Sequence, residues 1–81
     1  MTKEEILNVI TGLMEDNLDD IDGAIDASRS MVEYGANSLD IIEIVSCSMR
    51  ELKIKVPRAE LSDLENIDQL ADKLLEHAQQ E

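Results

Sequence analysis

The chain has 81 residues, 43% of them apolar, with Tyr34 the single aromatic, which is enough for one small aliphatic core and too little for a second. Seven basic against nineteen acidic residues give a net charge of −12, a field that repels phosphate backbones and anionic headgroups, so nucleic acid and membrane surfaces are poor partners and basic protein surfaces good ones. No apolar run approaches the roughly 18 residues of a spanning helix. The N-terminal MTKEEILNVI has carboxylates where a signal peptide needs a basic and then an apolar stretch, and Cys47 has no second cysteine to pair with. A cytoplasmic protein is expected.

Thr2 followed three residues later by Glu5 has the spacing of a capping box, and Ile6, Val9, Ile10 and Leu13 repeat at helical intervals. A first helix from about Lys3 to Asp16 is predicted. NLDDIDGAIDASRS then lacks any sustained period, while Leu18, Ile21, Ile25 and Met31 recur as isolated apolar anchors, the pattern of a long loop lying on the core. Its DDIDGAID segment resembles a calcium loop only superficially. With Gly23 at position six, Asp20 and Asp22 fall at three and five, but Leu18 and Arg29 stand where the first and last carboxylates are required.

From Ser38 to Leu52 the chain is rich in aliphatic residues and free of glycine and proline, which predicts a second helix. On a wheel of about 100° per residue, Ile41, Ile44, Val45, Ser48 and Leu52 share one arc, whereas Leu39, Ile42 and Met49 lie beside it. Burial among three other helices would hide both sets; otherwise an apolar stripe is left for a partner. Pro57 breaks the pattern, and RAELSDL allows a short third helix or turn. Asn66 and Gln69 repeat the capping spacing, and Ile67, Leu70, Ala71, Leu74, Leu75 and Ala78 carry a last helix to about Gln79. An all-α fold follows: a small four-helix bundle over 1–81 as a single domain, with three longer helices, a short third one and a long first loop.

Catalytic and metal-binding constellations are wanting. There is one cysteine, one histidine and no glycine-rich phosphate cradle. His77 near the end of the last helix reads as a surface histidine, mildly favoured there by the helix dipole, and Cys47 as a small buried or half-buried side chain. Ser38 is the more informative position. It opens a helix whose first N–H groups lack partners, so an anionic group attached there is stabilised, with Asn37 suited to cap and Gly35 to turn the chain. A serine that merely caps the helix fits the same spacing.

EYGANSLDIIEIV resembles the prosthetic-group segment of acyl carrier proteins, in which Gly-x-Asp-Ser-Leu opens the second helix. The helix order, the acidity and the NIDQLADKLLEH end are similar as well, so the likeness spans nearly the whole chain. It implies a carrier with no catalytic residue of its own. Ser38 would bear a covalent 4′-phosphopantetheine arm, installed by a phosphopantetheinyl transferase, whose thiol holds acyl groups as thioesters. Leu39, Asp40, Ile42 and Glu43 would form the surface that partners read. Asn37 departs from the usual aspartate and keeps the cap. GANSLD with MRELKIKVPRAEL and NIDQL is similar to the discrete carriers of polyketide β-branching cassettes, although Ile41 stands where an arginine often follows. The partners so implied are an acyltransferase, a ketosynthase or a hydroxymethylglutaryl-synthase-like enzyme, met by a monomer. Arg50, Lys53, Lys55 and Arg58, four of the seven basic residues, cluster after this surface and would select a dedicated partner unless they merely balance Glu51 and Glu60. The rival readings are a fatty-acid or aminoacyl carrier and a noncatalytic acidic helical adaptor in which Ser38 is structural.

Overall fold

In the computed structural model, which describes residues 2–18, 21, 23–61 and 64–78 with the side chain of Arg58 left aside, the described residues form helices and connecting segments without strands. Helix α1 spans Lys3–Asn17, α2 Ser38–Leu52, α3 Arg58–Leu61 and α4 Ile67–Ala78, and a single 3-10 turn at Val32–Tyr34 interrupts the first loop. The architecture is the small helical bundle expected. The end expected at Gln79, Asp20 and Asp22 of the calcium-like loop, and the side chain of Arg58 lie outside the described residues.

Helix α1 begins because the Thr2 hydroxyl accepts the N–H of Glu5 at 3.2 Å. The box is only half formed, since the Glu5 carboxylate takes the Thr2 hydroxyl and not its backbone N–H. Ile6, Ile10 and Met14, spaced by four, bury one stripe of this helix against α2 and α4. Opposite them stand Ile44, Val45 and Ser48 of α2 and Ile67, Leu70, Ala71 and Leu74 of α4. Burying each large aliphatic side chain contributes about 1.5–3 kcal/mol, which makes this seam the main support of the fold. Ser48, fully buried within it, donates its hydroxyl to the Ile44 carbonyl at 2.8 Å and so leaves no polar atom unmatched.

The long loop does lie on the core: Leu18 and Met31 are buried, and Ile21 and Ile25 pack against the same cluster. Its path was not apparent from composition. The N–H of Asp26 donates to the Tyr34 hydroxyl at 2.6 Å, and the carbonyls of Ala27 and Arg29 accept the N–H groups of Asp68 and Ile67 at 2.8 and 3.1 Å. The loop therefore caps α4 from outside. Asn66 adds its side-chain oxygen to the N–H of Gln69 at 2.7 Å, while the Gln69 side chain accepts from Glu65 rather than from Asn66. Lys3 reaches Asp68 and Asp72 at 2.8 and 2.9 Å, tying the start of α1 to α4.

His77 is not the plain surface histidine expected. It is half-buried between α4 and α3, 3.2 Å from the Glu60 carboxylate, which also lies 3.6 Å from Lys73. The His77 contact, more than any other, holds the Glu60 carboxyl below the usual carboxylate range. This link fastens the four-residue α3 to the bundle.

Candidate functional site

The segment that prepares Ser38 is built from three consecutive devices. The 3-10 turn ends at Gly35, whose φ of 92 lies in the left-handed region that a side chain disfavours. Ala36 then buries its methyl and donates its N–H to the Met31 carbonyl at 3.1 Å, fixing the approach to α2. Asn37 is the N-cap. Its side-chain oxygen accepts the N–H of Asp40 at 2.9 Å, and the Asp40 carboxylate accepts the N–H of Asn37 at 3.1 Å, completing a capping box.

This assignment takes the capping role away from Ser38. The serine occupies the first helical position, one residue past the cap; its hydroxyl is exposed and has no hydrogen-bond partner among the described residues. The capping role considered for it belongs to Asn37. Because Asn37 satisfies the N–H of Asp40 with its side chain and that of Ile41 with its carbonyl at 3.0 Å, the N–H groups of Ser38 and Leu39 remain directed out of the helix end. A phosphodiester on the Ser38 hydroxyl fits: the oxygen is accessible, and the neighbouring dipoles favour negative charge.

Around Ser38 the structure brings together most of the residues singled out by spacing. Leu39 and Ile42 are exposed at 77% and 51%, and Glu43 is exposed beside them. Ile41 and Met49 are half-buried, and Ile44 and Val45 buried, so the second arc of α2 is indeed uncovered at its outer edge. Asp40 differs from expectation: it is half-buried and turned back into the capping box. Arg50 lies three turns further along the same outward face as Leu39 and Glu43. Cys47 is half-buried with its thiol 3.5 Å from the Glu43 carboxylate; burial, then that carboxylate, pushes its pKa up.

Val32 was missed. It is 64% exposed in the 3-10 turn and, with Ile42, borders an open cleft of about 510 Å³. The cleft starts one turn beyond Ser38 and runs between α2, α3 and the start of α4, over Met31, Ile41, Val45, Met49, Leu61 and Leu70. Val45 and Leu70 line the cleft, whereas Ile10 and Ile44 are fully shielded where α1 packs on α2. Only a periodicity argument extended across the loop could have signalled Val32, and three residues carry no period.

No helix among the described residues is long and apolar enough to cross a membrane. The family described as "Phosphopantetheine attachment site" matches residues 5–74. The chain is 35% identical over 80 residues, 98% of either protein, to the polyketide biosynthesis acyl-carrier-protein AcpK of Bacillus subtilis (strain 168). It is 27% identical over 78 residues to the acyl carrier protein of Cyanidioschyzon merolae (strain NIES-3377 / 10D), covering 95% of this chain and 86% of that one. Among solved structures it superposes, with a TM-score of 0.81 and 30% identity, on a chain of the crystal structure of the curacin biosynthetic pathway HMG synthase in complex with acetyl donor-ACP, covering 96% of this chain and 99% of that chain. The free serine at a capped helix start thus has its context: the chain belongs to the acyl carrier proteins, the family of the phosphopantetheine attachment site, and is a carrier and not a catalyst.

Proposed function

We propose that residues 1–81 act as a single acyl-carrier domain whose 4′-phosphopantetheine is esterified to Ser38, and that the carrier serves polyketide-type biosynthesis as an acetyl or malonyl donor in β-branching. The observation that carries the attachment site is the exposed, unpartnered Ser38 hydroxyl beside a helix end already capped by Asn37. The pathway is supported by the likeness to AcpK and to a chain of the curacin HMG synthase complex with its acetyl donor-ACP.

When bound, the arm supplies a terminal thiol that holds the acyl group as a thioester. The residues of the chain do the rest. Gly35 and the Asn37–Asp40 box hold Ser38 outward, the N–H groups of Ser38 and Leu39 stabilise the negative charge next to it, and the apolar cleft one turn away offers an acyl group shelter from water. Leu39, Ile42 and Val32 supply an apolar contact, with Glu43 at its edge to meet a basic surface. The carrier is a cytoplasmic monomer that docks weakly and in turn to a phosphopantetheinyl transferase, an acyltransferase or ketosynthase, and a hydroxymethylglutaryl-synthase-like enzyme. Tethering keeps the acyl group at high effective concentration during each encounter.

The test is the mass of the thioester carried by protein isolated from its own host. An acetyl or malonyl group on the Ser38 peptide supports the donor reading. A long saturated acyl chain would replace it with a fatty-acid carrier, and an amino acid with an aminoacyl carrier.

A further inference from the structure

We infer that the C-terminal end of α2 is a second, cationic docking site, in which Arg50, Lys53 and Lys55 read an acidic patch on the partner enzyme and fix the direction in which α2 lies across it. The inference rests on the carrier reading of Ser38 and deepens it.

In a chain of net charge −12, these three residues are exposed, and none of them forms an ion pair among the described residues. Of the two carboxylates that could balance them, Glu60 is engaged instead with His77 at 3.2 Å and Lys73 at 3.6 Å. Glu51, though next to Arg50 in sequence, forms no ion pair with any of the three among the described residues. Lys3 and Lys73, by contrast, bridge the chain's own helices.

The backbone holds the three cations outward. Lys53 ends α2 in the left-handed conformation, φ 57, with its N–H on the Arg50 carbonyl at 3.4 Å, and Ile54 donates to the Met49 carbonyl at 3.0 Å. Ile54 and Val56 are buried at 4% and 6%. Their alternation with Lys53 and Lys55 turns both lysines to solvent. Arg50 lies about 18 Å along the helix axis from Ser38 at 1.5 Å per residue, on the face that carries Leu39 and Glu43. One outward stripe of α2 therefore runs from apolar and anionic beside the attachment serine to cationic at its far end.

A charge gradient of this kind selects its occupant. A lipid surface or a nucleic acid is uniformly anionic and is repelled by the rest of the chain. An enzyme with a basic rim at the mouth that receives the arm and an acidic patch about 18 Å away satisfies both ends. With one sign of charge alone, α2 could lie either way along such a surface; with both, the reversed pose sets like charges together.

The test uses acetylated holo-protein and the curacin HMG synthase as probe, comparing wild type with Arg50→Glu/Lys53→Glu/Lys55→Glu. All three positions are exposed, so the variant keeps its fold, as its circular dichroism will show. The expected result is a fall of about tenfold in kcat/KM for acetyl transfer near 50 mM salt, shrinking toward wild type near 0.5 M, where the Debye length is only about 4 Å. Equal rates and equal salt dependence overturn the inference while leaving the carrier reading intact. A wild type that the synthase does not accept removes the donor reading and this inference with it. Binding of wild type, but not the variant, to phosphatidylglycerol vesicles would transfer the patch to a lipid surface and overturn the protein partner.

Discussion

Replacing Asn37 by alanine should destabilise the protein, whereas replacing its neighbour Ser38 by alanine should not. Asn37 Oδ1 holds the N–H of Asp40 at 2.9 Å, and Asp40 in return holds the N–H of Asn37 at 3.1 Å. Alanine at 37 opens the first bond outright and leaves the second without its reciprocal. An N-cap of this type contributes about 1 kcal/mol, within a range of about 0.5–2. An unfolding entropy of about 2.1 cal/mol/K per residue gives about 170 cal/mol/K for this length, so the melting temperature should fall by about 6 °C. Ser38, exposed and unbonded, should change stability by less than about 0.5 kcal/mol, or about 3 °C. Thermal melts followed by far-UV circular dichroism on the unmodified protein resolve the difference. A Ser38→Ala protein that melts as low as Asn37→Ala would make Ser38 the cap and remove the ground for a free hydroxyl.

Three further outcomes are expected. Glu60→Gln should weaken the α3–α4 link: since the folded state lowers the Glu60 pKa below its ordinary 4.5, the stability gap to wild type is full above that value and closes as pH falls through the lowered one. Urea titrations across that acid range check it, and a gap that widens on acidification would contradict the assignment. Cys47, whose thiol pKa is raised by burial and by Glu43, should react with iodoacetamide at pH 8 more slowly than a free cysteine, and faster once Glu43→Gln removes the neighbouring charge. Lys53→Gly should stabilise by about 0.5 kcal/mol, because glycine relieves about 1 kcal/mol of left-handed strain and the lost cation at the helix end returns part of it. A lower melting temperature for this variant would mean that the charge outweighs the strain.

The longer helices were legible because their signals are local and repeated. Ser38–Leu52 has the bounds expected from its aliphatic run, and α1 runs one residue past the Asp16 expected. The division of α2 into two arcs also followed from angle, with Ser48 on one and Leu39 beside it, but that the second stays uncovered is shown only by the fold. What escaped depends on contacts between segments far apart in the chain. Tyr34 reaches back to Asp26, the Ala27 and Arg29 carbonyls cap α4, and His77 meets Glu60 across 17 positions. None of these pairings repeats at a helical interval, so no period in the sequence signals it. The capping role of Asp40 escaped for a different reason. A carboxylate three residues after an asparagine suits either a partner surface or a capping box, and only the fold shows that the backbone N–H of Asn37 faces it.

Intact-protein mass before and after incubation with coenzyme A and a broad-specificity phosphopantetheinyl transferase, measured on wild type and on Ser38→Ala, tests the attachment site most directly. Addition of one phosphopantetheine to wild type and none to the variant, with both equally folded, is the predicted result. An adduct on Ser38→Ala, or none on folded wild type, would contradict the assignment of Ser38 as the attachment site.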